Sequence, residues 1–413
     1  MSSMSSRERM LAALSCRKPD YVPCTVQVPV PQRRHFGSAF ERWDWQLGQG
    51  IDVISHIPSL PIRFGSEVSI REWKDRPADA PYPVLHREYQ TPAGALTAAV
   101  YQTTDWRYGD QLPLYDDLLA SRSVKFLITQ PSDLAAFRYL LASPTDEDIA
   151  AYREMAARYR QYARDRDVLF AAGWGSLNGR PGQPESGLVG CDGGIMGGDA
   201  VLWLCGQDAL LWTYDQPEFL QEFLHLIGVW NRRQMEVILD TGVDMILKRG
   251  WYENAPFYSP PLFRKFMGPE LRKEADLAHQ AGVKLAYETT IGLLPFVDAM
   301  VESGVDLIEG VDPDPSANND LQALARHSAG RIAIQGGVGY RLPLDADSLA
   351  EVRPAVARAI STFGPNGGFI LAALGASVIR EGDPAYLPDE QQEEMLRQYT
   401  YALIDAWREL RYV

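Results

Sequence analysis

The segment Val283–Asp312 holds two short apolar runs with an amphipathic stretch between them. Val283–Ala286 follows Gly282 and ends in a polar cluster, the pattern of a buried strand. Leu293, Leu294, Val297, Met300 and Val301 recur at helical spacing over Leu293–Glu302, and Gly304 stops that helix. A second run, Val305–Ile308, leads into Glu309 and Asp312. Strand, helix, strand at this spacing predicts a βαβ unit with parallel strands.

The unit recurs along the chain. Asp167–Ala172, Gly242–Leu247, Arg331–Gln335 and Gly368–Ala373 read as further strands. Pro217–Asp240, Pro260–Gln280, Asn318–His327, Ala346–Phe363 and Pro388–Leu410 read as the helices between or after them. Val22–Val26 and Ile51–Ser55 bring the strands to eight. The pattern predicts an α/β fold, a (β/α)8 TIM barrel, over an open doubly wound sheet. No Gly-x-Gly-x-x-Gly opens a helix after a strand, so a dinucleotide fold is not supported. Residues 60–106 break the rhythm. Val84–Gln90 and Ala95–Thr103 are β runs joined at Thr91-Pro92-Ala93-Gly94, which predicts an antiparallel hairpin inserted over one end of the barrel. Residues 1–413 then form one barrel domain carrying that N-terminal insertion. Ser5–Leu14 is a helix candidate ahead of the first strand. The Gly-rich stretch 171–199 reads either as an active-site loop or as a connection packed by its own Trp and Met.

Composition narrows the function classes. The chain has 413 residues, 46% hydrophobic and 23% charged, ordinary globular values. A net charge of −14 argues against a nucleic-acid partner, because phosphate binding needs clustered Lys and Arg. No apolar run reaches membrane-spanning length. The charged, Ser-rich start lacks the apolar core of a signal peptide, so a cytoplasmic location is expected. Cys16, Cys24, Cys191 and Cys205 have no metal-ligand or redox spacing.

Several pieces, in the right order along nearly the whole chain, resemble the uroporphyrinogen decarboxylase superfamily. They are Ser6–Leu14 followed by Pro19–Pro23, Thr91-Pro92-Ala93-Gly94, and Ser259-Pro260 with Pro269-Glu270-Leu271. Gln335-Gly336-Gly337-Val338 and Gly367–Leu371 complete the set. The resemblance implies a (β/α)8 barrel with its site at the C-terminal strand ends. It implies an enzyme on a small molecule, with a homodimer or a corrinoid-carrying protein as partners to consider. The Arg-Gln-Ala-Gly-Arg-Tyr and Ser-Asp-Ile-Leu motifs of the true decarboxylases are absent. The corrinoid-linked methyltransferase branch binds zinc through His-x-Cys and a later Cys. This chain has Tyr287-Glu288-Thr289 and Ala372-Ala373-Leu374-Gly375 there, so the zinc ligands are missing and no metal site or bound cofactor is assigned. Three readings follow: methyl transfer without the usual zinc, corrinoid-linked or not; a metal-free decarboxylase or lyase on an acidic substrate; and a binding barrel without chemistry.

Polar residues at the C-terminal ends of barrel strands face the site. Glu288 is a candidate general acid or base and Tyr287 a candidate hydrogen-bond donor, though only one of two adjacent strand residues can point inward. Asp312 either lines the site or forms a turn before Pro313. Lys248 and Arg249 either bind an anionic substrate or neutralise Glu288 or Glu309. Trp251, with Tyr252, is a candidate aromatic wall or plain packing, and Trp174 of the Gly-rich stretch is a further candidate for substrate binding. Glu309, Tyr340, His56 and His35 complete the candidate pocket, with structural roles as the alternative for both histidines.

Overall fold

The structure, a computed structural model, describes residues 4–26, 35–58, 60–106, 108–173, 197–339, 349–373 and 390–412. Trp174, Tyr340, Leu374 and Gly375, and most of the Gly-rich stretch, lie outside the described residues. Eight parallel strands make one sheet: β1 (Cys24–Thr25), β2 (Ile54–Ile57), β7 (Leu169–Gly173), β8 (Met245–Arg249), β9 (Lys284–Glu288), β10 (Leu307–Val311), β11 (Ala333–Val338) and β12 (Phe369–Ala373). Their order is β1-β12-β11-β10-β9-β8-β7-β2. The two ends of the sheet are stitched where the Asp52 N–H donates to the Cys24 carbonyl (2.9 Å) and the Cys24 N–H to the Asp52 carboxylate (3.2 Å). The result is the nearly closed α/β barrel that the alternation of runs predicts.

Most strands run one to three residues past their predicted runs. β8 takes in Lys248 and Arg249, β9 takes in Tyr287 and Glu288, and β10 takes in Glu309. Apolarity marks the part of a strand buried on both faces, whereas backbone pairing continues into the polar mouth.

The insertion is larger than a hairpin. β3 (Ser69–Asp75), β4 (Val84–Thr91), β5 (Gly94–Tyr101) and β6 (Ser123–Lys125) form a four-stranded antiparallel sheet in that order. β3 escapes a reading by alternation because it is an edge strand, charged and exposed along most of its length, and is held by its backbone ladder with β4. After β5 the chain makes the short helix Asp117–Arg122.

The barrel is filled in layers. Leu169, Ala171, Met245, Leu247, Ala286, Leu307, Ala333 and Ile370 meet on its axis. Met10, Ala13 and Leu14 of the helix Ser6–Leu14 close the N-terminal end beneath them. That helix starts with a capping box in which Ser5 and Glu8 satisfy each other's backbone N–H. Arg9, buried inside it, pairs with Asp20 (2.7 Å) and Asp52 (2.7 Å). Arg7 adds a pair with Asp244 (2.6 Å), whose carboxylate also accepts the Phe170 N–H.

Candidate active site

Side chains two residues apart on a strand share a face. Leu247, Ala286, Leu307 and Ala333 point to the barrel axis, so Arg249, Glu288, Glu309 and Gln335 do so one layer higher. These four are paired in direct register on adjacent strands, Arg249 with Glu288, Glu288 with Glu309 and Glu309 with Gln335. The Gln335 amide donates to Glu309 Oε1 (3.2 Å) and reaches across to the Thr25 hydroxyl (3.4 Å). The polar row thus lines the C-terminal mouth. Its shape depends on glycine at two points. The ladder shifts at Gly310 (φ 97°), a bulge just after Glu309. At Gly336 (φ 138°) a Cβ would lie 2.5 Å from the Val311 carbonyl, so a side chain there would push β11 off β10.

Two carboxyl groups in one half-buried row cannot both ionise cheaply. Burial pushes Glu309 up to about 7. Burial, and then the neighbouring Glu309 charge, hold Glu288 well above the carboxylate range, outweighing Arg249 and the Trp251 indole. Glu288 Oε2, Gln335 Oε1 and Trp251 Nε1 are buried polar atoms without a full hydrogen bond among the described residues. The row therefore holds a proton near neutral pH and carries unfilled hydrogen-bonding capacity into the mouth.

Arg249 joins this row to the insertion. Its guanidinium donates to both Asp117 oxygens (3.1 and 3.2 Å) and lies 3.5 Å from Asp199 Oδ2. Trp251 and Trp203 flank it, with ring centres 4.0 and 5.0 Å away. Asp117 also accepts from Trp203 Nε1 (3.0 Å) and the Tyr252 hydroxyl (3.0 Å). Burial raises Asp199 to about 8 despite Arg249, with Glu253 and Asp117 adding to the rise.

The other candidates are not members of this row. Tyr287 points into the helix layer, where its hydroxyl donates to Glu253. Lys248 faces the same way and pairs with Glu274 of the helix Gly268–Gln280. Among the described residues neither Lys248 nor Arg249 bonds to Glu288 or Glu309; Lys248 pairs with Glu274, and Arg249 with Asp117 and Asp199. Asp312 follows β10 and forms a turn by accepting the Asp314 N–H (2.9 Å). His56 shares the interior face of β2 with Ile54, and burial lowers it to about 4. His35 is exposed and pairs with Glu393 (2.6 Å), away from the row.

The methyltransferase branch's zinc does not fit these residues. Tyr287 faces away from the axis, Thr289 is a buried hydroxyl, and β12 ends in Ala372 and Ala373, so no imidazole or thiolate stands at those positions. Among the described residues no three His, Cys, Asp or Glu side chains cluster to hold a metal ion.

Asp117, Asp199, Gln335 and Thr25 also belong to the mouth; Gln335 ends the strand run Arg331–Gln335, and no sequence pattern marks the other three as site residues. Gln335 was open to the strand-end rule that found Glu288 and Glu309. Asp117 and Asp199 had no such signal, because the tertiary fold brings them to Arg249 from 132 and 50 residues away.

Residues 206–386 match the family described as Uroporphyrinogen decarboxylase (URO-D). No curated protein sequence matches the chain. Among solved structures, a methyltransferase from Methanosarcina mazei aligns over 98% of this chain and 99% of its own, at 13% identity and a TM-score of 0.54, a likeness of fold. A D-psicose 3-epimerase from Clostridium cellulolyticum H10 aligns over 62% of this chain and 84% of its own, at 12% identity and a TM-score of 0.35. A 3-keto-D-glucoside 4-epimerase from E. coli covers 60% and 85%, at 14% identity and 0.32. The family match runs from before β8 to beyond β12, and the barrel is shared with the Methanosarcina mazei methyltransferase along nearly the whole chain, so the chain is similar to the uroporphyrinogen decarboxylase family over its second half and has that methyltransferase's fold throughout.

Proposed function

We propose that the chain moves a methyl group from a heteroatom of a small molecule, with the Glu288–Glu309 pair as the acid that protonates the departing atom. The observation that carries this reading is the pair itself: two inward carboxyl groups in register, one of them held near pH 7. A general acid works best when its pKa lies near the working pH. In the step, the bond between carbon and heteroatom breaks and the methyl group passes to a nucleophile. The heteroatom keeps the electron pair and takes the proton from the carboxyl pair, which solvent later restores. A corrinoid, carried by a partner protein, would supply that nucleophile. The fold shared with the Methanosarcina mazei methyltransferase is compatible with this chemistry.

Charge favours this reading over a lyase on an acidic substrate. Lys248 lies behind the sheet on Glu274, and Arg249 is held by Asp117 and Asp199, so an entering carboxylate would meet Glu288 and Glu309 first. The test is incubation with cob(I)alamin and a panel of methoxylated aromatics and methylamines, following methyl–cobalt formation. Glu309→Gln should lower the rate about 100-fold or more. No transfer from any donor would overturn the reading. Carbon dioxide release from an acidic substrate, lost in Arg249→Ala, would install the lyase, and binding without turnover would install the non-catalytic barrel.

A further inference from the structure

We propose that Asp117, supplied by the insertion, is a positioning residue: it holds the Arg249 guanidinium toward the insertion and away from Glu288, and so leaves the proton on the Glu288–Glu309 pair. This rests on the reading of that pair as an acid, but its test follows protonation and needs no turnover.

The geometry is specific. Arg249 and Glu288 are register neighbours on adjacent strands, so their Cα atoms are about 5 Å apart. Both side chains point to the axis, and an ion pair between them would be the default. None forms, and Glu288 Oε2 has no hydrogen-bond partner among the described residues. Instead one Arg249 nitrogen meets both oxygens of Asp117, which two further donors, Trp203 Nε1 and the Tyr252 hydroxyl, hold in place. The largely buried Asp117 carboxylate thus has several reasons to stay where it is. The Trp251 and Trp203 rings also lie against the guanidinium, with centres 4.0 and 5.0 Å away.

The other groups around the pair do not replace this role. Glu309 lies beside Glu288 and favours its neutral form, and Gln335 touches Glu309 only through its amide. Asp199 lies 3.5 Å from Arg249 and burial raises it to about 8, so it offers Arg249 little counter-charge near neutral pH. Glu253 bonds to Tyr287 and the Gly198 N–H in the helix layer. Freed from Asp117, Arg249 would swing to Glu288, whose charged form would then be favoured. At an effective dielectric constant of about 20, a charge at about 4 Å is strong enough to move a pKa by more than one unit.

The test is an infrared titration of the carboxylic-acid C=O band in the full-length protein, with Glu288→Gln and Glu309→Gln assigning the band. Asp117→Asn keeps the oxygen that accepts from Trp203 and Tyr252 but removes the charge. It should shift the midpoint of the band down by at least about one pH unit. Asp117→Glu should restore it in part. If the Asp117→Asn variant misfolds by near-ultraviolet circular dichroism, Arg249→Met is the second probe, and removal of the cation should move the midpoint up. An unchanged midpoint in a folded Asp117→Asn variant, or a downward shift in Arg249→Met, would overturn the proposal. Failure to find methyl transfer, with these shifts intact, would count against the proposed function alone.

Discussion

The two ends of the barrel treat buried charge in opposite ways. At the N-terminal end Arg9 lies between Asp20 and Asp52, and the Asp52 carboxylate also accepts the Cys24 N–H across the barrel seam. Burial works against the charge on Asp20, yet the hydrogen bonds from Arg9 prevail and hold it below its ordinary value. At the C-terminal end Glu288 and Glu309 share a row with one arginine, and that arginine is turned to Asp117 and Asp199. At the closed end each carboxylate shares a cation, although burial still holds Asp52 above its ordinary value; at the open end the arginine is turned away from the carboxyl pair. Charge pairing where the fold is stitched, and its absence where the strands end, marks the strand-end face as the candidate site.

The sharpest way to break the comparison is at the closed end. Arg9→Met should cost about 3–5 kcal/mol in urea denaturation, because it leaves Asp52 buried without its cation. A loss below about 1 kcal/mol would show that the seam does not depend on this pair.

At the open end the sign reverses. Glu309 has its folded pKa raised from 4.5 to about 7, so the folded state binds that proton more tightly than the unfolded chain. Its contribution to stability is complete below pH 4.5 and is lost as pH rises through 7. The wild-type protein should lose on the order of 2 kcal/mol relative to Glu309→Gln between pH 5 and pH 8. Denaturation midpoints of both proteins at the two pH values would check this, and a difference that stays constant would remove the raised proton affinity.

Tyr287 sharpens the distinction between the axis and the helix layer. Tyr287→Phe removes the hydroxyl that donates to Glu253, which should cost about 1–3 kcal/mol. The pH dependence of methyl transfer should not change, and a moved profile would bring Tyr287 into the chemistry. The smallest effect belongs to His35→Ala, at most about 1 kcal/mol with kcat/KM unaltered, since the His35–Glu393 pair is a surface one.

Much of the barrel is legible in the sequence. Period and run length place all eight barrel strands, because a strand covered on both faces must be apolar and short. The strand-end rule finds Glu288, Glu309 and Arg249. It also picks Tyr287 and Lys248, which the two-residue alternation then turns into the helix layer. β3 stays hidden because its charged, exposed side chains carry no burial signal.

The sequence alone determined the barrel, the superfamily resemblance, the missing zinc ligands and the acidic character of the strand ends, since these depend on local pattern and residue identity. Only the tertiary structure decided which carboxyl groups face one another and which cation is withheld from them. Asp117 reaches Arg249 across 132 residues, and a contact at that range depends on how the insertion packs on the mouth, which no local pattern records.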